Sequence, residues 1–556
     1  MRAQTIPLAL LGAALNLVGC NAQSGPVTIA NGTLTGVEDS ASGVQKFLGI
    51  PYAQPPFGDL RLRQAKPLTT SFGTLAADAF GSSCHASRSQ PNASEDCLTL
   101  NIWRPTGKEG VATGPLPVLV WLYGGGLTAG YTADPRFEGT NLVRISTEIQ
   151  KPVILVSINY RLGPLGFLNG NQMAELGLLN IGMLDQRLAL HWIQENIAAF
   201  GARARYPSTP HMMAYGGRDD GLFRGGIMES GGAFPLQLPN ATTFQQTFDS
   251  LLTNTSCSTT LSANATAVEQ LDCIRALPID VFQASVGSNT GQSIDGDFTR
   301  TSIQLALPAG KYLNVPAIVG TNTDEGTNSA PKGINTTEQL FEPLVPVQLT
   351  TVKTLVAEGY FRPQRLPNAT VSKLLDLYPT DPRLGCPYNT GTTKLTSGAL
   401  DKQACSIFGD LVMIGPARQF ARTLAADGVP VYRYRFNQPP AGGTAARGIS
   451  TGVEQAYVFS NFAAGASPSA WDRALAYEVT SAWVSFAHDL DPNPGGIRVA
   501  DVGNPLEDST LPNWPEYGNE ANSIVFNGQG SWVEKETYRD EGVQYIIKNV
   551  LPDGAL

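Results

Sequence analysis

An α/β fold, with a large and mostly parallel sheet flanked by helices, is what this sequence predicts. Two patterns carry that expectation. Short β-rich runs alternate with longer helical segments along the chain, as in strands joined by crossover helices. Several of the runs are apolar throughout instead of every second residue, as strands covered on both faces are. Composition agrees with a soluble globular body: 42% hydrophobic and 15% charged over 556 residues.

In chain order, the N-terminus comes first. Arg2 opens a short positive region, Ile6 to Gly19 is almost wholly apolar, and Cys20-Asn21-Ala22 offers a small-x-small cleavage site. Residues 1–22 therefore read as a secretory signal, too short and isolated to be a transmembrane segment. Leu17-Val18-Gly19-Cys20 also resembles a lipoprotein box, which would leave Cys20 as a lipid anchor in place of cleavage after Ala22.

Strands are expected at Gln45–Ile50, Leu98–Trp103, Leu116–Tyr123, Val153–Ile158, Pro316–Gly320 and Val431–Phe436. Helices are expected at Gly182–Phe200, Gly409–Ala426, Ala470–His488 and Glu534–Asn549. No repeat, coiled coil or linker divides the chain, so residues 23–556 read as one domain.

Charge and cysteines narrow the setting. A net charge of −9 with no Lys/Arg run argues against a nucleic-acid partner. Asn31, Asn92, Asn240, Asn254, Asn264, Asn335 and Asn368 each begin an N-x-[ST] glycosylation triplet. Together with the signal they point to a secreted glycoprotein and weigh against the lipid anchor. Beyond Cys20 stand Cys84, Cys97, Cys257, Cys273, Cys386 and Cys405, an even set that implies disulfides in a secreted chain. Pairing neighbours (84–97, 257–273, 386–405) would close three short loops, each contributing on the order of 3 kcal/mol. No metal-ligand spacing accompanies them, and neither metal nor cofactor is implied.

A series of motifs runs in order along the chain: Phe47-Leu48-Gly49-Ile50-Pro51-Tyr52-Ala53, Ser94-Glu95-Asp96-Cys97-Leu98, Trp121-Leu122-Tyr123-Gly124-Gly125-Gly126 and Asn159-Tyr160-Arg161-Leu162-Gly163. Then come Asn180-Ile181-Gly182-Met183-Leu184-Asp185-Gln186, Gly221-Leu222-Phe223-Arg224, Glu229-Ser230-Gly231 and Thr323-Asp324-Glu325-Gly326. In this order and spacing the chain resembles the type-B carboxylesterase/lipase family, which includes cholinesterases and fungal lipases. Residues Met213 to Asp220 make it similar to the fungal branch.

The resemblance implies an α/β-hydrolase fold and an ester substrate or ligand. It also implies a serine nucleophile, a histidine proton shuttle and an acid that orients the histidine. By that pattern Gly125 and Gly126 would supply oxyanion-hole N–H groups, and Glu325 would be the triad acid. Arg61 with Glu95, and Arg161 with Asp185, resemble ion pairs that hold the family's fold. The loop that Cys84 and Cys97 would close spans only residues 85–96, short for a lipase lid, which leans toward soluble esters.

Two parts of that machinery are absent from the sequence. Where the family places a G-x-S-x-G elbow between strand and helix, the residues between Gly201 and His211 read Ala-Arg-Ala-Arg-Tyr-Pro-Ser-Thr-Pro. Two arginines and two prolines cannot form a buried central strand. The elbow strand is therefore expected to be deleted, leaving a gap in the sheet. In the histidine loop, Glu454, Tyr457 and Phe459 fix the register, and Thr451 occupies the histidine slot. A threonine hydroxyl cannot act as a base near neutral pH.

Neither residue has a replacement. The one G-x-S-x-G match, Gly448 to Gly452, lies inside this loop with no strand before it, so Ser450 is not expected to be a nucleophile. Ser230 matches a strand-end serine of structural type. His85, His191, His211 and His488 are the four histidines of the chain, and each suits ordinary packing. Three accounts follow: a family member inactive or impaired as written, an active esterase or lipase whose correct transcript restores the elbow, and a non-catalytic binding protein on the same fold.

Overall fold

The computed structural model describes residues 25–551 apart from 87–88, 107–113, 204–208, 231–237, 287–288, 345–365, 393–394, 396 and 495–510. Three readings lie outside the described residues: the signal segment 1–22, Cys20, and most of the altered stretch after Gly201.

Fifteen strands are described. They are β1 Val27–Ile29, β2 Gly32–Asp39, β3 Val44–Pro51, β4 Gly73–Ala77, β5 Ser83–Cys84, β6 Ala93–Ser94, β7 Thr99–Pro105, β8 Leu116–Trp121, β9 Ile154–Ile158, β10 Ala202–Arg203, β11 Gly226–Glu229, β12 Ala317–Asn322, β13 Val431–Phe436, β14 Asn522–Phe526 and β15 Trp532–Lys535. Two sheets hold most of them. One runs β1-β2-β3-β7-β9-β8-β10 with β4 beside β2, and the other runs β11-β12-β13-β14-β15. Pairing is parallel at the centre, across β9, β8 and β10 and from β11 to β14. The first strands pair antiparallel, because turns as short as those after Ile29 and Asp39 can only return the chain beside itself.

Pairing on β8 ends at the two-residue β10, which matches only Leu116 and Pro117. The next sheet starts at β11. Between these two edges, among the described residues, no strand is placed.

Alternation along the strands explains the layers. Ala317 and Val319 of β12 enter one core, with helices α2 (Ile181–Asn196) and α4 (Gly415–Ala426), while Ile318 enters the other, with α1 (Thr140–Glu148) and α6 (Ala470–Asp489). Strands β7, β9 and β12 are buried at every position. Hence β9 and β12 up to Thr321 are apolar or small instead of alternating, while the buried Asn101 and Arg104 of β7 bond Ser157 and Gln45. The cores span both sheets: Val118 and Ala202 share one with Met228, and Leu119 shares the other with Tyr434.

Two elements differ from expectation. Residues 534–549 are not one helix: Trp532–Lys535 pairs antiparallel with β14, and α7 (Asp540–Asn549) starts later. Aromatic and β-branched Trp532 and Val533 favour the strand. The helix expected from Gly409 begins as α3 (Asp401–Gly409) and reaches α4 through a π-helical turn at Asp410–Ile414. That wider turn accommodates Pro416, which has no N–H to give a regular helix.

Bonds Cys84–Cys97 and Cys257–Cys273 are formed. Cys386 and Cys405 are instead buried free thiols, which corrects the third expected disulfide. Cys386 hydrogen-bonds Cys405 and also faces Asp324, while the Lys332 ammonium lies 3.1 Å from the Cys405 sulfur. Polar partners therefore satisfy both thiols. The ion pairs Arg61–Glu95 and Arg161–Asp185 both close at 2.6 Å, the second almost fully buried.

Candidate active site

Strand β12 delivers Glu325, the expected acid. Beyond Asn322 the chain turns sharply, and the Asn322 N–H donates to Glu325 Oε1 at 2.7 Å. The other oxygen, Oε2, accepts the Thr451 hydroxyl at 2.6 Å. Glu325 is 1% exposed. Burial, and then the charge of nearby Glu454, push its carboxyl up to about 7. Behind it, Gly326 lies so close to α3 that a Cβ would stand 1.7 Å from the Cys405 carbonyl oxygen. Only glycine fits there.

Asp324 fixes how the two loops meet. Its carboxylate accepts the Tyr388 and Ile449 N–H groups at 2.8 Å each, and its own N–H donates to the Ile449 carbonyl. The segment Gly448–Thr451 is thereby tied to the acid loop, and Thr451 is brought onto Glu325.

At the end of β8 the glycine loop takes a form few other residues allow. Gly125 and Gly126 have φ of 125° and 64°. A Cβ on Gly125 would stand 2.2 Å from the Ala129 carbonyl oxygen. Thr128 closes the turn, donating its N–H and hydroxyl to the Gly125 carbonyl at 3.2 and 3.1 Å. Among the described residues neither the Gly125 nor the Gly126 amide donates a backbone hydrogen bond. Trp121, at the base of this loop, packs edge-on against Phe459 at 4.9 Å. The glycine loop and the segment after Thr451 thus meet at one end of the molecule.

Serines and histidines fall elsewhere. Ser450 is fully buried and accepts from Arg447 Nε at 3.2 Å, with no strand preceding it. Ser230 donates to Glu454 Oε1 and accepts from Asn322 Nδ2, both at 3.1 Å. His211 is buried, bonded to Gln186 at 2.9 Å, and held neutral: burial, and then Arg187, lower it to about 3. His488 pairs with Asp489, His191 is exposed on α2, and His85 lies beside the Cys84–Cys97 bond. The position of the expected nucleophile, residues 204–208, lies outside the described residues.

Sequence reasoning passed over a carboxyl cluster beside the acid. Glu229, Glu454 and Glu325 converge near Tyr434. A glutamate ending the apolar strand Gly226–Glu229 was the visible signal. Among the described residues, no group of three or more His, Cys, Asp or Glu is arranged to hold a metal ion. No helix there is long and apolar enough to cross a membrane.

Comparison with known proteins agrees with this geometry. A family model described as "Carboxylesterase family" matches residues 23–205 and 210–545. "Secreted lipase 1" of Botryotinia fuckeliana is 30% identical over 94% of this chain and 93% of its own. "Lipase 1" of Geotrichum candidum is 31% identical over 73% of this chain and 79% of its own. The crystal structure of Aspergillus niger EstA superposes with a TM-score of 0.78 at 23% identity, covering 95% of this chain and 99% of that one. The fold is that of EstA: an α/β-hydrolase.

Proposed function

From the premise that the chain belongs to the carboxylesterase family, we propose that it is a secreted carboxylic-ester hydrolase scaffold whose hydrolysis is lost or severely impaired. The observation that carries this reading is the Thr451 hydroxyl bonded to Glu325 Oε2 at 2.6 Å. The triad acid's partner position is filled by a group that cannot accept a serine's proton. An oxyanion loop and an acid remain, and these alone give at most a modest acceleration. Any ligand is a small ester-type molecule.

A second reading has its own support. The family match breaks only at residues 206–209 and resumes at once, and the sheet divides between β10 and β11. Loss of one strand from an otherwise intact enzyme would leave that pattern. An active esterase or lipase with a restored elbow would still need a base in place of Thr451.

Export agrees with the word "secreted" in the relative's name. Six of the triplet asparagines are exposed and Asn31 is half-buried, which suits glycosylation of residues 23–556 after removal of segment 1–22. Turnover of a short-chain aryl ester by the purified protein tests the proposal. A rate at the buffer background supports it, and saturable turnover sensitive to a serine-directed organophosphate overturns it.

A further inference from the structure

Glu229, Gly320 and Tyr434 stand in one row across β11, β12 and β13. Gly320 has no side chain, and the Tyr434 ring lies directly over it: a Cβ there would stand 1.7 Å from a ring carbon. Neighbouring strands are only about 4.8 Å apart, so the ring bridges the middle strand toward Glu229. The Trp483 ring lies 5.2 Å from Tyr434, and its Nε1 donates to Glu229 Oε1 at 2.7 Å.

Among the described residues, three buried atoms here have no hydrogen-bond partner: Glu229 Oε2, Asn322 Oδ1 and the Tyr434 hydroxyl. Glu454 lies between Glu229 and Glu325 electrostatically and raises both carboxyls after burial has done so. The other groups facing the cluster are neutral: Ser230 from the end of β11, Asn322 from β12, Trp483 from α6 and Thr451 from the loop. Arg433 precedes Tyr434 on β13, but Glu536 engages it at 3.0 Å. Among the described residues, three carboxyls thus share a buried site without a cation to balance them. Such a cluster persists only if protons take the cation's place.

We propose that Glu229, Glu454 and Glu325 form a proton-held latch that docks the acid loop and the helix start at Glu454 onto the end of β11, and that loosens in alkaline solution. Its parts belong to three separate segments: Glu229 ends β11 with Ser230 next to it, Glu325 follows β12, and Glu454 precedes helix α5 (Gln455–Val458). Removing the protons leaves like charges to repel one another across all three.

The sign follows from the direction of each shift. Glu229 is raised to about 8 and Glu325 to about 7, above the ordinary value of 4.5, and Glu454 moves the same way. The folded chain therefore holds protons that the unfolded chain has released. Stability from the latch is complete below about pH 4.5 and is lost as pH rises through about 7 to 8.

Infrared titration of the full secreted chain tests this directly, because a protonated carboxyl has a carbonyl stretch distinct from that of a carboxylate. The expected result is a protonated-carboxyl band that persists near neutral pH and disappears around pH 8, weakened in Glu229→Gln. The thermal midpoint of the wild type should fall between about pH 4.5 and 8, with a smaller fall in Glu229→Gln. A wild type without the band at about pH 6 overturns the latch, and so does a Glu229→Gln protein that keeps the full alkaline slope. Should that variant not accumulate, the wild-type band decides alone. The outcome is separate from hydrolysis, which can be absent whether or not the latch exists.

Discussion

Thr451 donates its hydroxyl to Glu325 at 2.6 Å, so the acid is satisfied by a group that can hold it but not relay a proton. The hydroxyl gives the buried carboxyl one of its two strong hydrogen bonds, the other coming from the Asn322 N–H. On the proposed reading, this contact stands where a working triad would have its acid–base pair.

Thr451→Val should therefore destabilise the protein by about 1–2 kcal/mol, because it leaves a buried acceptor unpaired. Urea unfolding at pH 6 to 8 measures it. An unchanged midpoint would mean that Glu325 finds another donor.

Thr451→His should place an imidazole against Glu325 and raise its pKa through the neighbouring carboxylate. Proton NMR of the added histidine reads that shift. If the proposed reading holds, ester turnover should stay at background, since the variant supplies a base and no nucleophile.

Glu536 sits fully buried between Arg433 and Arg418, at 3.0 and 3.2 Å. Burial alone would raise its carboxyl, but the two guanidiniums outweigh that and hold it below the usual range. Its stabilisation is present above the ordinary value of 4.5 and lost as pH falls through the lowered one. Glu536→Gln should cost about 3–5 kcal/mol by leaving the buried Arg433 uncompensated, while Arg418 keeps Asp540. Thermal unfolding from pH 3 to 7 should show a reduced acid slope in the variant.

Alkylation under denaturing, non-reducing conditions should label Cys386 and Cys405 and none of the four bonded cysteines. Without denaturant both should stay unlabelled, because both are buried. Peptide mapping that finds Cys386 joined to Cys405 would contradict the free-thiol state.

Gly326→Ala should prevent accumulation of folded protein. A methyl 1.7 Å from the Cys405 carbonyl would force α3 away from the acid loop, an overpacking cost of at least about 3 kcal/mol. Comparing secreted yields with those of Gly391→Ala, where a Cβ meets nothing within 4 Å, separates packing from backbone strain, because Gly391 has a positive φ of 66°.

Much of this architecture was legible in residue patterns. The runs at β9 and β12 announced themselves because both faces of each strand are buried. Glycines at two turns answer to local geometry: Gly125 by its φ, Gly326 by its neighbour. Trp532–Lys535 escaped notice because a short strand followed by a helix carries no period of its own. The Glu229–Tyr434 row was invisible for a different reason. Its members lie about 200 residues apart, and only strand register places them together. Cysteine spacing suggested a third bond, but nearness in sequence does not supply the oxidised geometry.

The central claim is that no serine in this chain is activated. Intact mass spectrometry after treatment with a serine-directed fluorophosphonate tests it most directly. The account predicts no adduct on the folded protein under conditions that fully label an active serine esterase. A stoichiometric adduct mapped to any single serine, Ser450 and Ser230 included, would contradict it.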